Sequence, residues 1–329
     1  MKFKILKLAI LGTTVLSMAT PARPQETPSE PSTLVPALED QAAPSPASFE
    51  EAVALFEDQK YTEARAIAES LATADDPRAM AMMGALSQKG LGTPIDLKAA
   101  QTWFTKAAEK DHPGAQFSLA MMNLDGSLGE PNAETAAKWL ERAATGGNVE
   151  AQYNLGLVYS GRYGTDPDWA KAAIWFRKAA DQNATDAQYN LGLLYLDGKG
   201  VAKDAVAAAD WLSRAAVKGM AEAALEYGVL VMRGEGVQRD EKIGIKWLLY
   251  AANRGHPVAQ NRLARIYATG TGVAADVIEA AKWNLLAAKG GRPDTMLDDM
   301  MAKLSEAQRK EAKSRADVFV AAELESEPN

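Results

Sequence analysis

The sequence predicts an all-α fold built as an array of two-helix repeats, and three observations predict it. Trp103, Trp139, Trp175, Trp211, Trp247 and Trp283 recur at a step of 36 residues, and only Trp169 is out of phase. Six coincidences at one period mark a repeat array. The pairs Ala107-Ala108, Ala143-Ala144, Ala179-Ala180, Ala215-Ala216, Ala251-Ala252 and Ala287-Ala288 keep the same step, as do Ala79, Ala115, Ala151, Ala187, Ala223 and Ala259. Within one repeat the apolar period is helical: Ala187, Leu191, Gly192 and Tyr195 share one face, and Ala208, Trp211, Leu212, Ala215 and Ala216 share another. Each repeat is therefore a pair of helices.

Each element of the repeat has its own signal. On the first helix, Gly84, Ala120, Gly156, Gly192, Gly228 and Ala264 are small where two helices need close approach. The indole on the second helix is expected to fill the facing gap. Asp96, Asn132, Asp168, Asp204, Asp240 and Asp276 stand just before the second helix as N-caps. Asp111, Gly147, Asn183, Gly219, Gly255 and Gly291 follow it and tolerate a left-handed stop. Between the paired helices, Gly90-Leu91-Gly92, Gly198-Lys199-Gly200, Gly234-Glu235-Gly236 and Gly270-Thr271-Gly272 form glycine-rich bends.

Over residues 77–291 the pattern Ala-x-x-x-Leu-Gly-x-x-Tyr-x-x-Gly-x-Gly, followed by Ala-x-x-Trp-x-x-x-Ala-Ala, resembles the Sel-1-like repeat, a relative of the tetratricopeptide repeat. Residues 187–216 carry the clearest copy. Ser87, Asn123 and Val231 replace the tyrosine, Arg162 replaces a loop glycine and Leu128 interrupts another loop. The resemblance implies a right-handed α-α superhelix of antiparallel hairpins, with the first helix of each repeat on the concave side. It also implies scaffolding by protein binding.

A solenoid exposes apolar faces at its ends, so caps are expected. Residues 48–76 read as a degenerate N-terminal hairpin, with Ala64, Ile67 and Ala72 one period before Ala100, Trp103 and Ala108. The six repeats then occupy 77–293, C-terminal capping helices 294–324 and an acidic tail 325–329. Ser305 and Gln308 form a capping-box pattern before a helix whose Ala312, Ala316, Phe319 and Val320 share a side. Residues 1–22 read as a signal peptide, with Lys2, Lys4 and Lys7 flanking a short apolar run and small residues before cleavage at Ala19 or Ala22. Seven of the fifteen prolines lie in 21–47, so 23–47 reads as a disordered proline-rich linker. With no cysteine in the chain, a lipid-anchored N-terminal Cys and disulfides are both excluded. An exported, periplasmic protein is expected, with secretion beyond the cell as the alternative.

The composition argues against other classes. The net charge is −7, and Lys2, Lys4 and Lys7 leave −10 on residues 23–329, a balance that repels nucleic acid and anionic lipid. No stable membrane insertion is expected once the signal is removed. The only two histidines, His112 and His256, sit in equivalent turns four periods apart, each before proline. That is repeat grammar and not a catalytic constellation. No zinc ligand set exists, the repeated aspartates are caps, and the Gly-x-Gly loops lack the lysine of a phosphate loop. Asn183-Ala184-Thr185 is a sequon placed where the repeat turns. No enzyme activity, cofactor or metal is therefore expected; a cell-wall or β-lactam-processing hydrolase is the weakest alternative.

What remains is surface for a protein or extended peptide, with the oligomeric state open. Phe117, Tyr153 and Tyr189 are followed four residues on by Met121, Leu157 and Leu193, an aromatic and aliphatic ladder beside Ser118, Asn154 and Asn190. The amides are expected to bond a peptide backbone. The competing reading is that this row is core. A second candidate is the crowding of Arg162, Tyr163 and Trp169 in the irregular third loop, residue types enriched at binding hot spots. An adaptor or regulator is the first expectation, and a structural component of an envelope or secretion assembly is the second.

Overall fold

The structure is a computed structural model that describes residues 48–326, with side chains through Phe319. The expected signal peptide and linker lie outside the described residues, as do Val320's side chain and most of the acidic tail. Sixteen α-helices and no strand occur among the described residues, in two compact units divided between Asn148 and Val149.

The first unit holds α1 (Phe49–Glu57), α2 (Tyr61–Thr73), α3 (Pro77–Lys89), α4 (Leu97–Glu109), α5 (Pro113–Leu124) and α6 (Ala133–Thr145). They pair as three hairpins. Ala64, Ala68 and Ala72 of α2 are buried, so the first hairpin presents an apolar face to α3. Met83, Leu86, Phe104, Leu119 and Met122 continue the same core.

The second unit holds α7 (Val149–Tyr159), α8 (Trp169–Asp181), α9 (Thr185–Asp197), α10 (Ala205–Val217), α11 (Ala221–Arg233), α12 (Glu241–Ala252), α13 (Pro257–Thr269) and α14 (Val277–Lys289). Two further helices, α15 (Thr295–Ala302) and α16 (Glu306–Ser326), close its C-terminal end. Ser305 and Gln308 cap α16 reciprocally: Ser305 N donates to Gln308 Oε1 (2.9 Å) and Gln308 N to Ser305 Oγ (3.2 Å). Ala312 and Ala316 then bury themselves against the last hairpin, and the Phe319 ring meets Trp283 edge-on at 5.5 Å.

The turns follow the sequence closely. Asp96 accepts from Ala99 N (2.9 Å), Asn132 from Thr135 N (2.8 Å) and Asp240 from Ile243 N (2.9 Å), with Asp168, Asp204 and Asp276 doing the same. Such a cap is worth about 1 kcal/mol. Each capping residue also donates its own N–H to a carbonyl nine residues back, at Ser87, Asn123, Tyr159, Tyr195, Val231 and Tyr267. Because that bond uses backbone alone, Ser87, Asn123 and Val231 can replace tyrosine without opening the hairpin. The stops between repeats are left-handed, including the non-glycine Asp111 (φ 59°) and Asn183 (φ 69°), so the sequon asparagine serves as a turn residue.

One expectation is corrected. Opposite Gly84, Gly156 and Gly192 the gap is filled by Phe104, Phe176 and Leu212 and not by the indole, while Gly228 faces the Gly244 carbonyl and the Trp247 Cβ. Phe104, Leu140, Phe176, Leu212 and Leu248, each one residue after the tryptophan, are at most 3% exposed. A methyl group placed on Gly84 would lie 2.6 Å from the Phe104 ring, and one on Gly156 2.6 Å from the Phe176 ring. One residue turns the helix by about 100°, which moves the indole from the hairpin interior to its flank. There Trp103, Trp139, Trp175 and Trp247 are half-buried, whereas Trp211 and Trp283 are buried. Cations three residues on cover four of these rings: Lys106 over Trp103 (4.5 Å), Arg142 over Trp139 (5.1 Å), Lys178 over Trp175 (4.0 Å) and Arg214 over Trp211 (4.6 Å).

Glycine in the bends joins successive hairpins. A methyl group on Gly236 would stand 1.9 Å from the Ala205 carbonyl oxygen, at the start of the preceding repeat's second helix. No side chain fits that approach.

Candidate functional site

The ladder residues lie on the first helices of their repeats and are half-buried, neither core nor fully open. In the first unit, Phe117 and Met121 share a face of α5, and Ser118 Oγ donates to Gly114 O (2.9 Å). In the second unit, Tyr153 and Leu157 on α7 pack by one side against the buried Phe176 and Leu191 cluster. Tyr153 and Phe176 rings are 5.8 Å apart. Tyr189 on α9 packs in the same manner against the Leu225 and Val229 cluster, and Leu193 stays half-buried beside it.

The amides are anchored to their own helices. Asn154 Nδ2 donates to Glu150 O and Asn190 Nδ2 to Asp186 O, both at 2.8 Å, each one turn back along its own helix. The side chains close this bond because an asparagine in a helix finds the i−4 carbonyl within reach. One N–H of each amide is thus held in its own helix, and the second N–H and the acceptor oxygen are what the row offers a peptide backbone.

Neighbouring repeats meet along this row. Burial first, and then Asp186 of the next repeat, pushes the Tyr153 hydroxyl up to about 12 against the opposing influence of Arg162 and the Asn190 side chain. Tyr163 also borders Tyr153, and its own hydroxyl is raised by burial and lowered by Arg162. Tyr189 repeats the arrangement one period on: burial raises its hydroxyl, and so do Glu226 and Glu222. The structure thus brings Arg162 and Tyr163 to the ladder, joining two candidates that stand apart in sequence. Trp169 packs against the same buried cluster as Tyr153 and Leu157. It opens α8, where Lys199 lies 5.3 Å from its ring and Gly200 sits against its backbone.

The row closes further along. Leu225 and Val229, at the positions of Tyr189 and Leu193, are buried. Asn261 and Arg265, one repeat later, are drawn to Asp294 at the N-cap of α15: Asn261 Nδ2 donates at 2.9 Å and Arg265 Nε at 2.7 Å. Burial pushes the Asp294 carboxyl up, but these donors and Leu297 N hold it below the usual range. The open stretch in this unit is accordingly Tyr153, Asn154 and Leu157 with Tyr189, Asn190 and Leu193.

Two sets of residues were missed from sequence. Gln116, Gln188 and Gln260 are buried and donate to Ala108 O, Ala180 O and Ala252 O at 3.1, 3.2 and 3.1 Å, so they seal the joint between repeats. Their spacing carried the signal. Glu150, Asp186 and Glu222 also share one phase, exposed beside the ladder, with Glu226 half-buried next to them.

The two histidines are turn residues. His112 caps α5, its Nδ1 accepting from Ala115 N (3.2 Å), and His256 stands at the N-cap of α13. Among the described residues no three His, Cys, Asp or Glu side chains are placed to hold a metal. A depression of about 610 Å³ beside Trp103 is lined by Asp75, Lys106, Glu109 and Lys110, of which Lys110 pairs with Asp75 and Lys106 covers the indole. No helix among the described residues is long and apolar enough to cross a membrane.

The family described as Sel1 repeat matches residues 77–112, 113–148, 149–183, 185–219, 221–256 and 257–291. Among solved structures, a Sel1 repeat protein from Oxalobacter formigenes is 28% identical with a TM-score of 0.61, over 73% of this chain and 96% of that one. The c5321 protein, a protective antigen present in uropathogenic Escherichia coli strains and displaying an SLR fold, is 24% identical with a TM-score of 0.70. That match covers 86% of this chain, which spans 64% of the c5321 chain. No protein of curated function matches the sequence at a significant level.

Proposed function

Because the chain belongs to the Sel1 repeat family, whose repeats generally mediate protein–protein interaction and typically form non-enzymatic scaffolds, we propose that it is an exported adaptor or regulator. In this reading it captures a partner protein or extended peptide on the row formed by Tyr153, Asn154, Leu157, Tyr189, Asn190 and Leu193. One observation carries the reading. These side chains pack against core by one edge and leave the other open, whereas at the tyrosine and leucine positions of the later repeats Leu225 and Val229 are buried and Asn261 and Arg265 are tied to the C-terminal cap. A half-open aromatic row on a rigid helical support suits binding, because little side-chain freedom is lost when a partner arrives. Export to the periplasm is part of the proposal and rests on the composition of residues 1–22 and 23–47.

Substituting Tyr153, Tyr189, Asn154 and Asn190 tests it. Partner capture from gently solubilised envelopes is expected to fall while helical circular dichroism and the melting midpoint hold. Loss of folding would show instead that the row is core. Recovery of the partner at a fixed equimolar ratio, in place of a substoichiometric one, would favour a permanent structural component over a regulator.

A further inference from the structure

The acidic residues that accompany the open row define what it selects. Glu150, Asp186 and Glu222 repeat in register and are exposed; Glu226 adds a fourth carboxylate. Among the described residues none of the four forms an ion pair, although fifteen ion pairs occur elsewhere. Helix register sets Glu150 three residues before Tyr153 on α7 and Asp186 three residues before Tyr189 on α9, so each acid shares a helix face with a half-open tyrosine; Asp186 also acts on Tyr153, and Glu222 and Glu226 on Tyr189, from the following repeat. Against these acids stand Arg162, which acts on Tyr153, and Arg262, one repeat past Glu226.

A carboxylate beside an aromatic face is what a lysine or arginine side chain seeks, since its stem packs on the ring while its head meets the acid. The chain already uses the aromatic half of this pairing, with ammonium or guanidinium groups over ten of its rings, Arg254 over Tyr250 at 3.6 Å among them. On that chemistry, and resting on the interaction-face reading above, we propose that the row takes an extended lysine- or arginine-rich segment of a partner protein. Self-occupancy is disfavoured by charge. Residues 23–47 hold Arg23 against Glu26, Glu30, Glu39 and Asp40, and a second copy brings a net charge of −7.

The test uses the purified protein and three short labelled peptides, alternating glycine with lysine, glutamate or serine, read by fluorescence anisotropy. The lysine peptide is expected to bind, and added salt to weaken it steeply. The triple variant Asp186→Asn, Glu222→Gln, Glu226→Gln is expected to bind it about tenfold more weakly, at the ordinary strength of three partly screened pairs. The matched variant Asp181→Asn, Asp210→Asn, Glu235→Gln, away from the row, is expected to lose less than about threefold. Equal losses in the two variants, or equal binding of the glutamate peptide, would overturn the proposal. A photo-crosslinker in place of Asn190 separates the two claims. Crosslinks to the serine or glutamate peptide alone would sink the basic specificity and leave the face standing. Peptide binding that never crosslinks from Asn190 would remove both.

Discussion

In the hairpin of α7 and α8 the Phe176 ring, and not the Trp175 indole before it, should dominate stability. Phe176 is 1% exposed, with its ring against Gly156 and 5.8 Å from the Tyr153 ring. Truncation to alanine withdraws on the order of 150 Å² of buried aromatic surface, about 4 kcal/mol at 25 cal/mol per Å², and leaves a cavity. Trp175 is half-buried under Lys178, so Trp175→Ala removes roughly half its burial and a cation–π contact, about 2–3 kcal/mol together, and water refills the space. The cycle with Gly156→Ala is sharper. In the wild-type background the new methyl meets the Phe176 ring at 2.6 Å, an overpacking of about 1–3 kcal/mol. In the Phe176→Ala background the space is empty, and the same change should stabilise by up to about 1 kcal/mol through helix propensity. Urea denaturation followed by circular dichroism, with amide exchange on α7 and α8 to localise the effect, measures all four proteins. A Gly156→Ala effect of the same sign and size in both backgrounds would refute the packing described for this hairpin.

Removing Asp294 should loosen the C-terminal cap: Asp294→Ala is expected to cost about 1–3 kcal/mol, kept modest because Arg265 is 54% exposed and rehydrates. The folded carboxyl lies below its unfolded value, so this stability is present above roughly pH 4 and is lost as pH falls through the lowered folded value. Amide exchange in α13 to α15 should therefore rise in acid for wild type and less for Asp294→Asn. Burial lowers the His112 pKa, and its Nδ1 is an acceptor, so its contribution is present above roughly pH 6.5 and is lost as pH falls toward the lowered value. His112→Asn, a cap that does not titrate, should flatten the drop in melting midpoint between pH 8 and pH 5.5; an unchanged slope would contradict the assignment. Gly236→Ala, at φ 70° and 1.9 Å from the Ala205 carbonyl, should cost more than Gly164→Ala, at φ 80° with open space around it, by at least about 1 kcal/mol in the denaturation midpoint energies.

Periodicity makes the helices, caps and turns legible before any coordinate. Asp96 or Asn183 has a role fixed by local backbone chemistry, and a 36-residue step repeats that chemistry six times. What the period does not carry is the rotation of a helix about its axis, so the pattern assigns to the indole the gap that Phe104 and Phe176 fill. The half-buried state of the ladder is likewise out of reach of the period. The same phase holds Tyr189, Leu225 and Asn261, and the side chains that pack on each from the neighbouring helices decide whether it is open, buried or tied to Asp294. The influence of Arg162 and Tyr163 on Tyr153 depends on the course of the irregular loop after α7, which leaves no mark on the spacing.

In-cell photo-crosslinking compares the two faces of the second unit most directly. A crosslinkable residue at Asn190, on the open row, is expected to trap one partner protein repeatedly, and one at Asp210, on the second helix of the same repeat, is expected to trap none. Equal yields at both positions, or a partner trapped from Asp210 alone, would contradict the assignment of binding to the first-helix row.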